Sequence, residues 1–325
     1  MRYVVVFTDG SIRKEALDVL APTCDVRVLT AYPSEDALVA ACGDADAILA
    51  RLGTVTRRVI ESAQRLRIVA RHGVGVDAVD LDAATERGIV VTTTGNENAA
   101  AVAEYAFVLL LALVRHVVQA DAGVRAGLWD REPLVGAELD GRTLGVVGYG
   151  AIGRRVARQA LGFGMQVLAC DPAAPTPEAG VTMTSLDDLL ARADVVSLHA
   201  RLTGDTARLI DARALARMKP GAYLVNTARG ELIDEGALAA ALRRGALAGA
   251  ALDTYEREPL PAESVLRSLP NMLLSPHVGG QTAPALQRVA IAAAQCIVDE
   301  LAGRVPAFVY NPEAYEHRLA GWPRR

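Results

Sequence analysis

Short runs rich in valine, isoleucine and leucine alternate with stretches of helical periodicity along almost the whole chain. No other feature restricts the fold as much. Residues 2–7, 26–29, 47–49, 68–70 and 89–91 read as strands, with helical stretches at 13–20, 35–41 and 57–63 between them. A long helix is predicted over 99–120. A second series of strands follows at 144–147, 166–169, 195–198, 222–225, 249–252 and 272–274, and a last helix at 283–302. Strands this uniformly apolar are buried on both faces, so the pattern predicts α/β architecture with parallel sheets covered by helices on both sides. A chain of 325 residues exceeds what one core usually supports, and each series is long enough for its own domain. The tail after Val305 carries three prolines and is expected to lie on the surface.

Only the second series opens on a glycine-rich loop. Gly148, Gly150 and Gly153 form GxGxxG between a strand and an amphipathic helix. In that setting the first glycine permits a tight turn, the second lets the backbone approach a pyrophosphate, and the third lets helix and strand pack closely. The helix start adds free N–H groups and a partial positive charge. The next strand closes on Asp171, near the interval of about 20 residues at which an acid hydrogen-bonds the ribose diol of a dinucleotide. A 2′-phosphate there would set like charges together, and no Arg or Lys occurs from Pro172 through Leu190 to offset them. The loop therefore predicts NAD and not NADP.

Ligands of open α/β sheets sit beyond the C-terminal ends of the strands. The later strand ends carry His199, then Thr227, Ala228 and Arg229, then Asp253, then His277 with Gly279 and Gly280. Arg229 can grip a carboxylate bidentately or form an internal salt bridge. His277 can act as proton donor to a carbonyl near neutral pH or serve a structural role. His72 and His199 lie near strand ends, where they could line a ligand site without doing chemistry. His116 falls in the long helix and His317 in the tail. The stretch LDTYEREPL, residues 252–260, offers Glu256 and Glu258, and composition alone does not choose between them.

A formal net charge of −4 with no basic run argues against nucleic acid or an anionic membrane as partner. The longest apolar run, residues 105–114, falls short of the about 20 residues that cross a bilayer. Cys24, Cys42, Cys170 and Cys296 show neither CxxC nor metal-ligand spacing, so idle thiols in a reducing cytoplasm are expected, and no metal site.

RHGVGVDAVDL, NAAAVAEYAF, GYGAIG with its later Asp, VNTARGELIDEGAL, and LDTYEREPL with SPHVGG follow one another along the chain. Together they resemble the D-2-hydroxyacid dehydrogenases, a family that includes phosphoglycerate, glycerate, lactate and formate dehydrogenases and the C-terminal binding protein corepressors. The resemblance covers residues 45–312 and implies two doubly wound parallel-sheet domains. A Rossmann NAD-binding domain, residues 98–281, is inserted into a flavodoxin-like substrate-binding domain made of residues 1–97 and 282–325. The site is expected in the cleft between them, and glycines near the crossings (Gly95, Gly279 and Gly280) suit domain closure.

Carried over by motif, the catalytic set is Arg229 from NTARG, Glu258 from E-P and His277 from S-P-H. Cofactor contacts are implied at Gly148, Gly150, Ala151, Ile152, Gly153, Asp171, His199, Ala200, Thr206, Thr227, Ala228, Asp253, Gly279 and Gly280. Substrate contacts are implied at Arg51, at Arg229 and at the backbone N–H groups of Val74 and Gly75. The implied activity is hydride transfer between NAD(H) and a small D-2-hydroxy acid/2-keto acid pair of the 3-phosphoglycerate, glycerate/hydroxypyruvate or glyoxylate class. The alternative is an NAD(H)-sensing binding protein on the same scaffold. A phosphorylated substrate would call for extra cations, which Arg51, Arg71 and Arg57 or Arg58 could supply. The resemblance also implies a homodimer through the NAD-binding domain, with Trp129 as a candidate anchor. Where the family often has D-N-V, this chain has Asp77–Ala78–Val79, a change expected to touch loop packing and not chemistry.

Overall fold

The computed structural model describes residues 2–30, 33–173 and 176–321. The chain divides into two compact units, one built from the residues up to Asn98 and from Thr282 onward, the other from Ala99 to Gln281.

In the first unit β1 (Tyr3–Phe7), α1 (Lys14–Leu20), β2 (Cys24–Val28), α2 (Glu35–Cys42), β3 (Ala47–Ala50), α3 (Arg57–Ser62), β4 (Ile68–Arg71), α4 (Leu81–Glu86) and β5 (Val90–Thr92) alternate as the apolar pattern requires. The sheet is parallel, in the order β2-β1-β3-β4-β5, which is the flavodoxin-like order. Successive residues of each strand point to opposite faces. Val6, Ile48 and Val69 pack with Leu38, Val59 and Ile60 of α2 and α3. Phe7, Leu49 and Ala70 pack with Leu20 of α1 and with residues of a helix from the far end of the chain.

The second unit contains α5 (Ala99–Val114), α6 (Val117–Arg125), β6 (Thr143–Val147), α7 (Ala151–Gly162), β7 (Gln166–Cys170), β8 (Val181–Met183), α8 (Leu186–Arg192), β9 (Val195–Leu198), α9 (Ala212–Arg217), β10 (Ala222–Asn226), α10 (Glu235–Arg243), β11 (Leu247–Leu252) and β12 (Met272–Leu274). Its seven strands are parallel in the order β12-β11-β10-β9-β6-β7-β8. The order reverses between β6 and β9, so the crevice for a ligand opens at the ends of these two strands.

The chain then returns to the first unit as α11 (Ala283–Leu301), whose Ala290, Ala294 and Ile297 complete the face shared by Phe7, Leu49 and Ala70. Among the described residues, α1 is the other helix on that face, through Ala16 and Leu20. Full burial of one aliphatic side chain such as Ile297 stabilises by roughly 1.5–3 kcal/mol, which accounts for the discontinuous unit. The tail after Val305, expected on the surface, is tied into the unit at several points. Val309 bridges Thr92, buried Asn311 bonds to Val91 N and Ile89 O, and Arg318 of α12 (Ala314–Gly321) bonds to Glu300 and to the Gly88 carbonyl.

Two sequence expectations need correction. The helix predicted over 99–120 is two helices bent by 62°, because His116 adopts a left-handed backbone (φ 53°) that a right-handed helix cannot continue. α5 is largely buried, whereas α6 buries no residue. The three-residue strand β8, hydrogen-bonded to β7, was too short to register as a periodic run. No single helix among the described residues is long and apolar enough to cross a membrane.

Candidate active site

β6 runs into Gly148, whose φ of +91° and packing both require glycine. A Cβ there would lie 2.4 Å from Ala200 N, and one on Gly153 would lie 2.1 Å from Gly148 O. Gly150 differs, because its Cβ would meet nothing within 4 Å. It caps α7 without a side-chain acceptor, so open ground lies before the first N–H groups of the helix, at Ala151 and Ile152. Asp171 is fixed by Tyr149 N (2.8 Å) and Ala173 N (2.9 Å), which hold its carboxylate at the end of β7.

His199 Nε2 lies 2.8 Å from Ser197 Oγ, and burial pushes its pKa down to about 3, so the ring is neutral at physiological pH. Its Nδ1, Thr227 Oγ1 and Thr254 Oγ1 are buried without a hydrogen-bond partner among the described residues. Orphan polar atoms of this kind call for a ligand or water. With the open approach at Gly150 they fit a polar dinucleotide beyond the strand ends. Thr206 Oγ1 accepts from Thr203 N (2.7 Å) and donates to Arg201 O (2.6 Å), closing its own turn.

The second half of the site forms at β10, β11 and β12. Asn226, fully buried at the end of β10, accepts from Ala228 N (2.9 Å) and donates to Arg229 O (2.7 Å), bracing the chain on both sides of the strand exit. Arg229 follows, with Nη1 donating to Ala228 O. Gly230 lies so close to the 255–256 segment that a Cβ would stand 1.8 Å from Tyr255 C.

The Glu258 carboxylate accepts from Tyr255 N (3.1 Å) and lies 2.8 Å from His277 Nδ1. Burial raises the Glu258 carboxyl, but the hydrogen bond and charge of His277, the Tyr255 N–H and the Arg229 guanidinium outweigh it and hold it below the usual carboxylate range. An ionised carboxylate only accepts, so Nδ1 carries the proton toward Glu258, and Nε2 is the nitrogen that Glu258 does not engage. Glu256 behaves otherwise. Its N–H donates to Glu235, and its carboxylate stands 3.8 Å from Arg208.

His277 has a left-handed backbone (φ 54°), unusual for a residue with a side chain. Buried Asp253 straddles it, accepting from Ser275 Oγ (2.6 Å), Val278 N (2.9 Å) and Gly279 N (2.7 Å). Tyr255 OH adds contacts to Ser275 N (3.1 Å) and Ser275 O (2.9 Å). Asn226, Gly230, Tyr255 and Ser275 are thus supports that the motifs did not single out. The only hint was their position inside NTARG, LDTYEREP and SPH.

In the first unit the strand order reverses between β1 and β3, and Arg51 follows β3 there. Its N–H donates to Thr8 Oγ1 (3.0 Å), and its guanidinium bonds to Ser11 and lies 3.5 Å from the buried carboxylate of Asp9. Val74 and Gly75 lie on the loop after β4, Val74 with 40% of its surface exposed.

A glycine loop opening on an uncapped helix and a carboxylate-backed imidazole, both at the C-terminal edge of one parallel sheet, mark a dinucleotide-binding α/β protein. The comparisons are narrower. The NAD-binding domain of the D-isomer specific 2-hydroxyacid dehydrogenases matches residues 107–279, and the chain belongs to that family. It is 43% identical to a D-3-phosphoglycerate dehydrogenase of Mycobacterium leprae, over 92% of this chain but only 57% of that protein. It is 40% identical to a hydroxypyruvate reductase of Thermotoga maritima, over 91% of this chain and 98% of that one. A solved glyoxylate reductase from Paecilomyes thermophila superposes with a TM-score of 0.86 at 30% identity, covering 96% of this chain and 99% of that one.

Proposed function

We propose that this protein is an NAD-dependent dehydrogenase that interconverts a small D-2-hydroxy acid and its 2-keto acid. The observation that carries the reading is the 2.8 Å contact between His277 Nδ1 and Glu258, beside Arg229 and in the same unit as the glycine loop. NAD, when bound, supplies or accepts the hydride. Gly148, Gly150, Gly153, Ala151 and Ile152 receive its pyrophosphate, and Asp171 its adenosine ribose. His199, Ala200, Thr206, Thr227, Ala228, Asp253, Gly279 and Gly280 complete the cofactor surface. His277 gives a proton to the carbonyl oxygen in reduction and takes it back in oxidation. Glu258 orients the ring through Nδ1. Arg229 grips the carboxylate and polarises the carbonyl. The first unit is assigned to the substrate, through Arg51 and the N–H groups of Val74 and Gly75.

The names of the relatives frame the substrate as 3-phosphoglycerate, glycerate/hydroxypyruvate or glyoxylate. NADH oxidation with a panel of 2-keto acids, with and without a phosphate, tests the reading. Tight NADH binding without reduction of any of them would favour an NAD(H)-sensing protein instead. The homodimer is assigned to the second unit, where α6 and the following segment expose Val117, Val124, Leu128 and Val135, and where Trp129 is 76% exposed. A cytoplasmic location suits the free thiols at Cys24, Cys42, Cys170 and Cys296.

Two variants probe named roles. Asp171→Ser should narrow the preference for NADH over NADPH by about tenfold in kcat/KM, since it removes a charge that repels a 2′-phosphate. An unchanged ratio excludes that role. Glu258→Gln should lower kcat for keto-acid reduction by about tenfold, because the charged acceptor that orients the His277 ring through Nδ1 is lost. Glu256→Gln should leave kcat unchanged, and equal losses in both variants would remove Glu258 from its role.

A further inference from the structure

We propose that Arg71 is a positioning residue for the substrate loops of the first unit, acting through backbone carbonyls and not as a ligand of the substrate. The inference rests on the assignment of Arg51, Val74 and Gly75 to the substrate. β4 ends on Arg71, whose Nε donates to Gly75 O (2.8 Å). Its Nη1 donates to both Ala50 O (3.0 Å) and Arg51 O (2.9 Å). One guanidinium therefore joins the exit of β3 to the exit of β4, just past the point where the ladder between these strands ends with His72 N on Ala50 O (2.8 Å). The planar fork suits this task, because its donors diverge at fixed angles toward separate acceptors.

The other end of the second loop is also tied, with Thr94 N donating to Gly73 O (3.0 Å). A trans peptide is planar, so fixing the Gly73 carbonyl turns the Val74 N–H the opposite way. Fixing the Gly75 carbonyl anchors the peptide on the far side of Gly75. The Val74 N–H is thus set by a bond on the opposite side of its own peptide, and the Gly75 N–H lies in the peptide between two anchored ones. Arg51 is held on its own account by Thr8, Asp9 and Ser11.

The remaining cations considered for a substrate phosphate are engaged as well. Arg57 bonds to Glu86 (2.7 Å), and Arg58 to Asp36 (2.5 Å) and Glu35 (3.1 Å). Buried His72 adds no charge. Its pKa is pushed down to about 4, by burial first and by the nearby Arg51.

Arg71→Lys keeps the charge and loses the fork, so it is the discriminating variant. With NADH as reductant, KM for hydroxypyruvate and for its 3-phospho counterpart should rise together by about tenfold. The kcat, NADH affinity and melting temperature should stay near wild type. Hydrogen exchange should quicken at the Val74 and Gly75 amides by about tenfold and elsewhere hardly at all. Wild-type kinetics in Arg71→Lys would show that charge alone suffices and would overturn the proposal. So would a loss confined to the phosphorylated acid, which would mark a direct ligand, or a general fall in stability with weakened NADH binding. If the wild-type protein reduces neither acid, the proposed activity fails, and the amide exchange still decides whether Arg71 orders the loop.

Discussion

Replacing His277 with alanine is expected to lower turnover of the preferred 2-keto acid by about 10²–10⁴-fold, the usual contribution of a positioned general acid, with NADH affinity close to wild type. The separation of the two effects follows from how the residue is held. The ring is oriented by Glu258, whereas the left-handed backbone at His277 is held by Asp253, through Ser275 Oγ, Val278 N and Gly279 N. Loss of the imidazole leaves those three bonds in place, so the turn should keep its shape. No other histidine near a strand end of either sheet can take over. His199 and His72 have pKa values pushed down by burial to about 3 and about 4, so neither carries a proton to give near neutral pH. Single-turnover reduction and a fluorescence titration with NADH would measure the two quantities separately. A variant that turns over like wild type removes His277 from the chemistry. Weakened NADH binding with unchanged chemistry would reassign it to the cofactor.

The α/β class, the alternation of elements and the glycine loop could all be read from the chain, because they depend on local periodicity and on residues adjacent in sequence. His116 illustrates where that reading stops. The residues around it keep helical spacing, and only its backbone angle separates α5 from α6. The choice between Glu256 and Glu258 was also beyond composition. It required the E-P motif, and in the structure Glu258 hydrogen-bonds a histidine 19 residues away whereas Glu256 stands 3.8 Å from Arg208. Supports that act through backbone carbonyls were invisible. Nothing near Asn226 announces that its amide braces Arg229, and nothing near Arg71 announces the carbonyls of Ala50, Arg51 and Gly75. A carbonyl is present at every residue, so sequence cannot say which one a side chain will find.

Gly230→Ala is expected to destabilise the protein by about 3 kcal/mol and to lower turnover by about 10²-fold, although residue 230 is assigned no chemical role. Overpacking usually costs about 1–3 kcal/mol, and the upper end applies where the obstruction cannot rotate away. Here the new Cβ would lie 1.8 Å from Tyr255 C, 2.2 Å from Glu256 N and 2.3 Å from Tyr255 Cα, all backbone atoms. The 255–256 segment must therefore move, and it holds both catalytic candidates. Tyr255 N donates to Glu258, Tyr255 OH contacts Ser275 on the turn that carries His277, and Glu256 N is fixed by Glu235. A displacement of about 1 Å at reacting groups can cost on the order of 10²-fold in rate. Urea unfolding and steady-state kinetics would measure the two effects. Recovery of turnover when the fully folded variant is assayed at low temperature would show that the loop yields without disturbing Glu258 and His277. Persistence of the defect in folded protein would show that the close approach of Gly230 to Tyr255 sets the geometry of the acid–base pair.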